Sequence, residues 1–172
     1  MNQIFEIISR EENGSFLHQK EKFQNIIEGS FMERDVYILD LEHNRHKIHI
    51  RNTMGPTAVG NFKVVLPNFS RKIKFSISGK NHFVALFTGK KDMLNIKCND
   101  SAIEGLIRSS HEFNQIHDLA KQYAFEPEIM ADMEQGVFQI TADYHLAFKE
   151  REEALRPLIR FFKFLIDKFG NG

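Results

Sequence analysis

The sequence has one cysteine, Cys98, so no internal disulfide can staple the fold and the chain suits a reducing compartment. Tryptophan is absent, and the core must draw its bulk from other side chains. No apolar run approaches the roughly 20 residues that cross a bilayer as a helix. The opening Met1-Asn2-Gln3-Ile4-Phe5-Glu6 lacks the basic and apolar regions of a signal peptide. Net charge is missing as well: Lys plus Arg and Asp plus Glu are 23 each, which removes global charge as a pointer to nucleic acid or membrane. Repeats, low-complexity tracts and composition breaks are not found. These absences give the expectation of one cytoplasmic domain over residues 1–172, with no membrane insertion.

What is present is ordinary globular material: 172 residues, 42% hydrophobic and 27% charged, with 17 phenylalanines. The charge is unevenly spread. Residues 60–97 hold eight cations (Lys63, Arg71, Lys72, Lys74, Lys80, Lys90, Lys91, Lys97) against Asp92, whereas residues 112–153 hold ten acids against Lys121, Lys149 and Arg151. If the two stretches fold against each other, they neutralise one another.

Hydrophobic periodicity places a short helix at the N-terminus, ending before Asn13-Gly14, then a linker or short helix from Phe16 to Phe23. Strands follow at Ile26–Phe31, Val36–Leu41, His46–Asn52, Phe62–Leu66, Lys72–Ser78 and His82–Phe87, with another short one at Met93–Cys98. Met32-Glu33-Arg34-Asp35 reads as a turn, and Val36–Leu41, apolar on both faces, as a central strand covered on each side. Ser78-Gly79-Lys80-Asn81 reads as a hairpin turn. Asn99-Asp100-Ser101 offers caps for a helix to about Arg108. Ser109 and Glu112 have capping-box spacing for a second helix running to Tyr123. Glu128–Met133 and Val137–Ala142 form a hairpin about Glu134-Gln135-Gly136, and Tyr144–Phe148 is a candidate third strand.

A C-terminal amphipathic helix closes the chain, with Pro157 near its first turn or at a kink and Gly170 as its terminating residue. Its apolar stripe is Leu158, Ile159, Phe161, Phe162, Leu165, Ile166 and Phe169. Phe164 falls outside that stripe, a weak pointer to a partner or dimer contact. The order, strand-rich over 1–98 and helix–helix–hairpin–helix over 99–172, predicts an α+β fold: a mainly antiparallel sheet with helices packed on one face.

Gly29 ahead of Arg34-Asp35-Val36, the run Ile96-Lys97-Cys98-Asn99-Asp100 entering a helix, and the closing hairpin and helix together resemble uncharacterised bacterial soluble domains, some tethered beside transmembrane segments. The chain departs from that pattern in lacking a membrane segment and in carrying Asn99-Asp100 where a Gly-Asp pair stands. The resemblance implies the architecture and carries over no activity and no site residue.

Several chemistries can be tested against spacing. His43, His46 and His49 resemble a metal-binding run, with Asp40 and Glu42 nearby. In a strand, however, His46 and His49 face opposite sides, so exposed hairpin histidines are favoured over a metal or anion site. Cys98 ahead of a helix suits a thiolate, and His111, His117 and His145 are equal candidates for its partner; a small buried hydrophobe is the commoner role. Thr88-Gly89-Lys90-Lys91 lacks the first glycine and the Ser or Thr of a phosphate loop. Asp143 and His145 share a strand face, which allows an Asp-oriented base, but no G-x-S-x-G elbow presents a serine. Arg71, Lys72, Lys74, Lys90 and Lys91 are candidate anion or nucleic-acid contacts, with Phe69 or His82 to stack on bases, but no single-strand-binding signature accompanies them.

Every catalytic pattern is incomplete, and no cofactor is expected. The leading expectation is therefore a non-enzymatic binding or protein-interaction module, taking a protein partner or forming a homodimer. An enzyme or metal-dependent site built from His43, His46, His49 and Asp143/His145 is the first alternative. Anion or nucleic-acid binding by the basic strand face is the second.

Overall fold

A computed structural model describes residues 1–24, 31–67, 69, 72–79, 93–123, 125–147 and 151–170. The elements are α1 (Asn2–Glu11), β1 (Ser15–Gln24), β2 (Phe31–His43), β3 (His46–Met54), β4 (Val59–Leu66), β5 (Phe75–Gly79), β6 (Leu94–Cys98), α2 (Ser101–Ser109), α3 (His111–Gln122), β7 (Glu128–Glu134), β8 (Val137–His145) and α4 (Leu155–Phe169). The strands form one sheet in the order β1-β2-β3-β4-β8-β7-β5-β6, and every pair is antiparallel. The expected α+β class, with helices on one face of an antiparallel sheet and an amphipathic C-terminal helix, is the fold observed. Among the described residues no helix is long and apolar enough to cross a membrane.

Two tight turns set the register. Asn44 (φ 49°) and Arg45 (φ 67°) link β2 to β3, and Gln135 (φ 52°) and Gly136 (φ 81°) link β7 to β8. Positive φ at both central residues matches the twist of the flanking strands. Register then sorts side chains by face. Phe16, Leu39, Ile50, Phe62, Ala142, Ile129, Ile77 and Ile96 form one unbroken apolar row across all eight strands. Helix α4 lies on that face with Leu155, Leu158, Ile159, Phe161, Phe162, Leu165, Ile166 and Phe169 buried. At roughly 1.5–3 kcal/mol per fully buried large apolar side chain, this stripe is a leading contribution to the core. Ring packing does much of the filling: Phe162 meets Phe62 at 5.2 Å, and Phe169 meets Phe69, Phe138 and Phe75 at 5.7, 6.1 and 6.2 Å.

Several local expectations are corrected. Phe16–Phe23 is neither linker nor helix: it lies in β1, an end strand whose polar run hides the period-two pattern. Met32–Asp35 is not a turn but part of β2, held by cross-strand charge pairs of Glu33 with Lys20 and Lys22 and of Arg34 with Glu21, and by the 2.8 Å contact of Asp35 Oδ1 with His18 Nε2. Val36–Leu41 lies one strand from the sheet end and is covered by helices on one face only. Lys72–Lys74 precede β5, which starts at Phe75, and Gly79 ends that strand, its amide donating to Pro127 O (3.1 Å), so it is not a turn residue. Ser110, not Ser109, caps α3, its Oγ accepting from Phe113 N (3.2 Å). Tyr144 and His145 continue β8 and open no new strand. Gly170 follows α4 with φ −77°, so its lack of a Cβ serves close approach and not a left-handed turn: a Cβ there would stand 2.9 Å from His46 Nε2. Most of the expected strand 26–31, and all of 82–87, fall outside the described residues; Phe31 itself opens β2.

A buried polar link ties the middle strands together. Tyr144 in β8 crosses over Gly60 in β4 and donates from its hydroxyl to Asn52 Oδ1 in β3 (2.9 Å). Asn52 is fully buried, and burial pushes the Tyr144 phenol above its ordinary pKa. A Cβ on Gly60 would collide with the Tyr144 ring, whereas one on Gly105, inside α2, meets nothing. Gly60→Ala is therefore expected to destabilise by about 1–3 kcal/mol through overpacking. Gly105→Ala should instead stabilise by about 0.5–1 kcal/mol. Urea unfolding of both variants checks the opposite signs.

Candidate functional site

The three histidines separate in a way the hairpin dictates. His43 and His46 are directly opposed across β2 and β3 on the helix side, while His49 lies on the other face. His43 Nε2 is 2.7 Å from Asp167 Oδ1, Asn44 Nδ2 donates to the same oxygen (2.7 Å), and His46 Nε2 is 3.2 Å from Gly170 O. The β2–β3 turn thus holds the C-terminal end of α4, where helix carbonyls lack partners and carry partial negative charge. Among the described residues, no three His, Cys, Asp or Glu side chains are grouped to hold a metal ion.

His49 belongs to a polar array on the helix-free face. Its Nδ1 is 2.6 Å from Asp40 Oδ1, and Lys47 Nζ is 2.7 Å from Asp40 Oδ2. Partial burial works to raise the Asp40 pKa, but the hydrogen bonds from Lys47 and His49 outweigh it and hold the carboxyl below its ordinary value. One strand over, Glu21 Oε2 accepts from Arg34 Nη2 (2.8 Å) and Arg51 Nη2 (3.0 Å). The Glu21–Arg51 bridge spans the row that contains Val36 and Thr53, which are 0% and 4% exposed. Glu21 is held below the usual carboxylate range by the Arg34 hydrogen bond first and then by that of Arg51, against a desolvation effect.

Two further rows cross the whole face. One reads Ser15, Asp40, His49, Lys63, Thr141, Met130, Ser76, Lys97; the next reads Leu17, Ile38, Arg51, Asn61, Asp143, Glu128, Ser78, Asn95. Asp143 and His145 share this face, and Asp143 accepts from Asn61 Nδ2 (2.8 Å). Lys74 is paired with Asp132, so the basic strand meets the acidic hairpin and the two charge excesses offset each other there. Lys72 is exposed; Arg71, Lys80, Lys90 and Lys91 lie outside the described residues. Cys98 is half-buried on the helix side, its Sγ accepting from Asp100 N (3.5 Å), while His117 Nε2 accepts from Met93 N (3.2 Å). Phe164 is half-buried against Phe161 and lies under Lys168.

The concave features are open. A cleft of about 800 Å³ lies beside the β2–β3 turn, lined by Asn44, Arg45, His46, Lys47, Val65, Pro67 and Gly170. Sequence reading missed both the Asp40–His49 pair and the Glu21–arginine bridge. The available signal was the two-residue turn: pairing His43 with His46 automatically sets Asp40 opposite His49.

No family model, no curated protein and no solved structure matches this chain.

The lowered pKa of Asp40 fixes a sign. A depressed folded-state value contributes stability above the unfolded value, about 3.9, and that contribution is lost as pH falls through the folded value. Asp40→Asn should therefore be less stable than wild type at pH 7, with the difference shrinking below about pH 4. Denaturant midpoints of both proteins across that range check it; a gap that does not change with pH would deny the ion pairs any role.

Proposed function

We propose that this chain is a non-catalytic binding module whose partner docks on the helix-free face of the sheet. The observation that carries the reading is the asymmetry of the two faces. One is covered by helices, while among the described residues no helix lies on the other, where cross-strand pairs such as Asp40–His49, Glu21–Arg51 and Asn61–Asp143 hold side chains in place. That open face also carries Leu17, Val59, Val65 and Met130, four of the large apolar side chains that remain exposed. A fixed polar array with scattered apolar contacts suits a protein surface, whose interfaces are no more apolar on average than the rest of a protein's exterior.

The same face argues against nucleic acid. Base stacking needs aromatic platforms. Among the described strands, the only Phe or Tyr at a helix-free position is Phe23, which lies under the Arg34 guanidinium at 5.3 Å. Among the described residues of this face, Lys47, Arg51 and Lys74 are each engaged by an acid, and Lys63 and Lys97 stand apart across Thr141, Met130 and Ser76, which makes no continuous basic track there.

The Asp40–His49 pair supports a second reading, an enzyme with His49 as general base. By register, its lateral and diagonal neighbours are Ile38, Asp40, Glu42, Asn61, Lys63 and Val65, so water is the nucleophile such a base would serve.

Thr141 lies mid-face, and Lys168 lies on α4. With immobilised protein and native extract, Thr141→Arg should reduce retention of the partner by about tenfold or more, equivalent to 1.4 kcal/mol. Lys168→Glu should leave it unchanged. Equal retention by wild type and Thr141→Arg would end the docking reading.

A further inference from the structure

We infer that the partner is a second copy of this chain, stacked face to face about a two-fold axis running along the strands between β4 and β8. This rests on the docking reading above and names its occupant. The strand order places four strands on each side of that line: β1-β2-β3-β4 and β8-β7-β5-β6. A two-fold axis there sets β4 against β8 of the other copy, β3 against β7, and β2 against β5.

The charges on the open face reverse sign across the same line. β3 and β4 present Lys47, Arg51 and Lys63 and no acid, whereas β8 and β7 present Asp143, Glu128, Asp132 and Glu134 and no lysine or arginine. Further out, β2 brings Asp40 and Glu42, with Arg34 held by Glu21 of β1, and the β5 side brings Lys74. Superposing the face on its own two-fold image therefore matches opposite charges in two rows, while the row between them sets Lys63 against Thr141, His49 against Met130 and Asp40 against Ser76. Arg51 meets Glu128 of the other copy and Asn61 meets Asp143. In the other of those two rows Lys47 meets Asp132, Val65 meets Gln139 and Glu42 approaches Lys74. A like-charged pair inside one chain, Asp143 directly opposite Glu128, is relieved in this arrangement by Asn61 and Arg51 from the other. Such self-complementarity is what a closed isologous dimer requires.

The dimensions are adequate. Strands about 4.8 Å apart, with roughly 3.3 Å rise per residue, give the 33 residues of β3, β4, β8 and β7 about 520 Å² per copy. The two copies together reach the roughly 1,000 Å² expected of a specific interface. Aligned sheets cross at about −30°, so the match is held best near the axis, among β3, β4, β8 and β7. Edge-to-edge pairing through β1 is disfavoured by its own sequence. Pairing centred on Lys20 opposes two lysines, and pairing centred on Gln19 sets His18 against Lys20.

The Lys47–Asp132 contact between copies is the one to test: both side chains are exposed in the single chain, at 65% and 49%, and each would share the charge it already pairs with in its own chain, Asp40 for Lys47 and Lys74 for Asp132. Sedimentation equilibrium of the full chain should give a dimer at low salt that dissociates as salt rises towards roughly 1 M. Lys47→Glu and Asp132→Lys should each weaken dimerisation by about tenfold or more, and the double variant should restore it, with far-UV circular dichroism confirming folding throughout. A double variant no better than either single one would overturn the axis. Wild type that stays monomeric while Thr141→Arg still loses a captured partner would overturn the second copy and spare the docking reading. A monomer with no such partner would overturn both.

Discussion

Helix α4 lies across the inner row of the sheet, and most of the geometry described above follows from that seating. Its eight buried side chains complete a core that the sheet cannot close alone, because an apolar row spanning eight strands has to be covered from one side. Phe162 and Phe169 reach strands from both halves of the sheet, Phe62 in β4, Phe138 in β8 and Phe75 in β5. The helix thereby holds the β7–β8 hairpin between β4 and β5, where strand pairing alone would have to bridge segments far apart in sequence. Non-local pairings of this kind cost loop-closure entropy before any contact rewards them, and the phenylalanine stripe supplies the compensating burial.

Fixing the helices on one side leaves the other side to polar chemistry. There the side chains hold one another: Asp40 between Lys47 and His49, Glu21 between Arg34 and Arg51, and Asn61 with Asp143. Partly exposed pairs of this kind add little stability individually. Their consequence here is positional, since long side chains that would otherwise sample many rotamers are ordered before any partner arrives. Ordering in advance lowers the entropic cost of association, and this is what supports the binding role proposed for the face.

Much of the helical part could be read from the chain. The α4 stripe follows a 3.6-residue period that no tertiary context has to supply, and the Asp100 cap accepts from Ala102 N and Ile103 N as local sequence suggests. The opposed orientation of His46 and His49 follows from strand periodicity alone. The polar ends of the sheet were harder. His18-Gln19-Lys20-Glu21-Lys22 and Glu33-Arg34-Asp35 have no apolar alternation, because near the sheet's end both faces are hydrated, and their strand state comes from pairing with each other. Asp40 and His49 are equally silent in sequence; only the turn at Asn44-Arg45 brings them to one point.

The sequence by itself determined the class of fold, the stripe of α4 and the turns at Asn44-Arg45 and Gln135-Gly136, since periodicity and turn chemistry act between residues a few positions apart, and composition alone set the balance of charge. Tertiary structure alone decided the order of the strands, the crossing of Gly60 by Tyr144 and the meeting of basic and acidic segments. It also decided that Asp40, His49, Arg51 and Asp143 would face away from the helices. These depend on pairings between residues up to a hundred positions apart, and a linear chain carries no local signal for which of its strands will be neighbours.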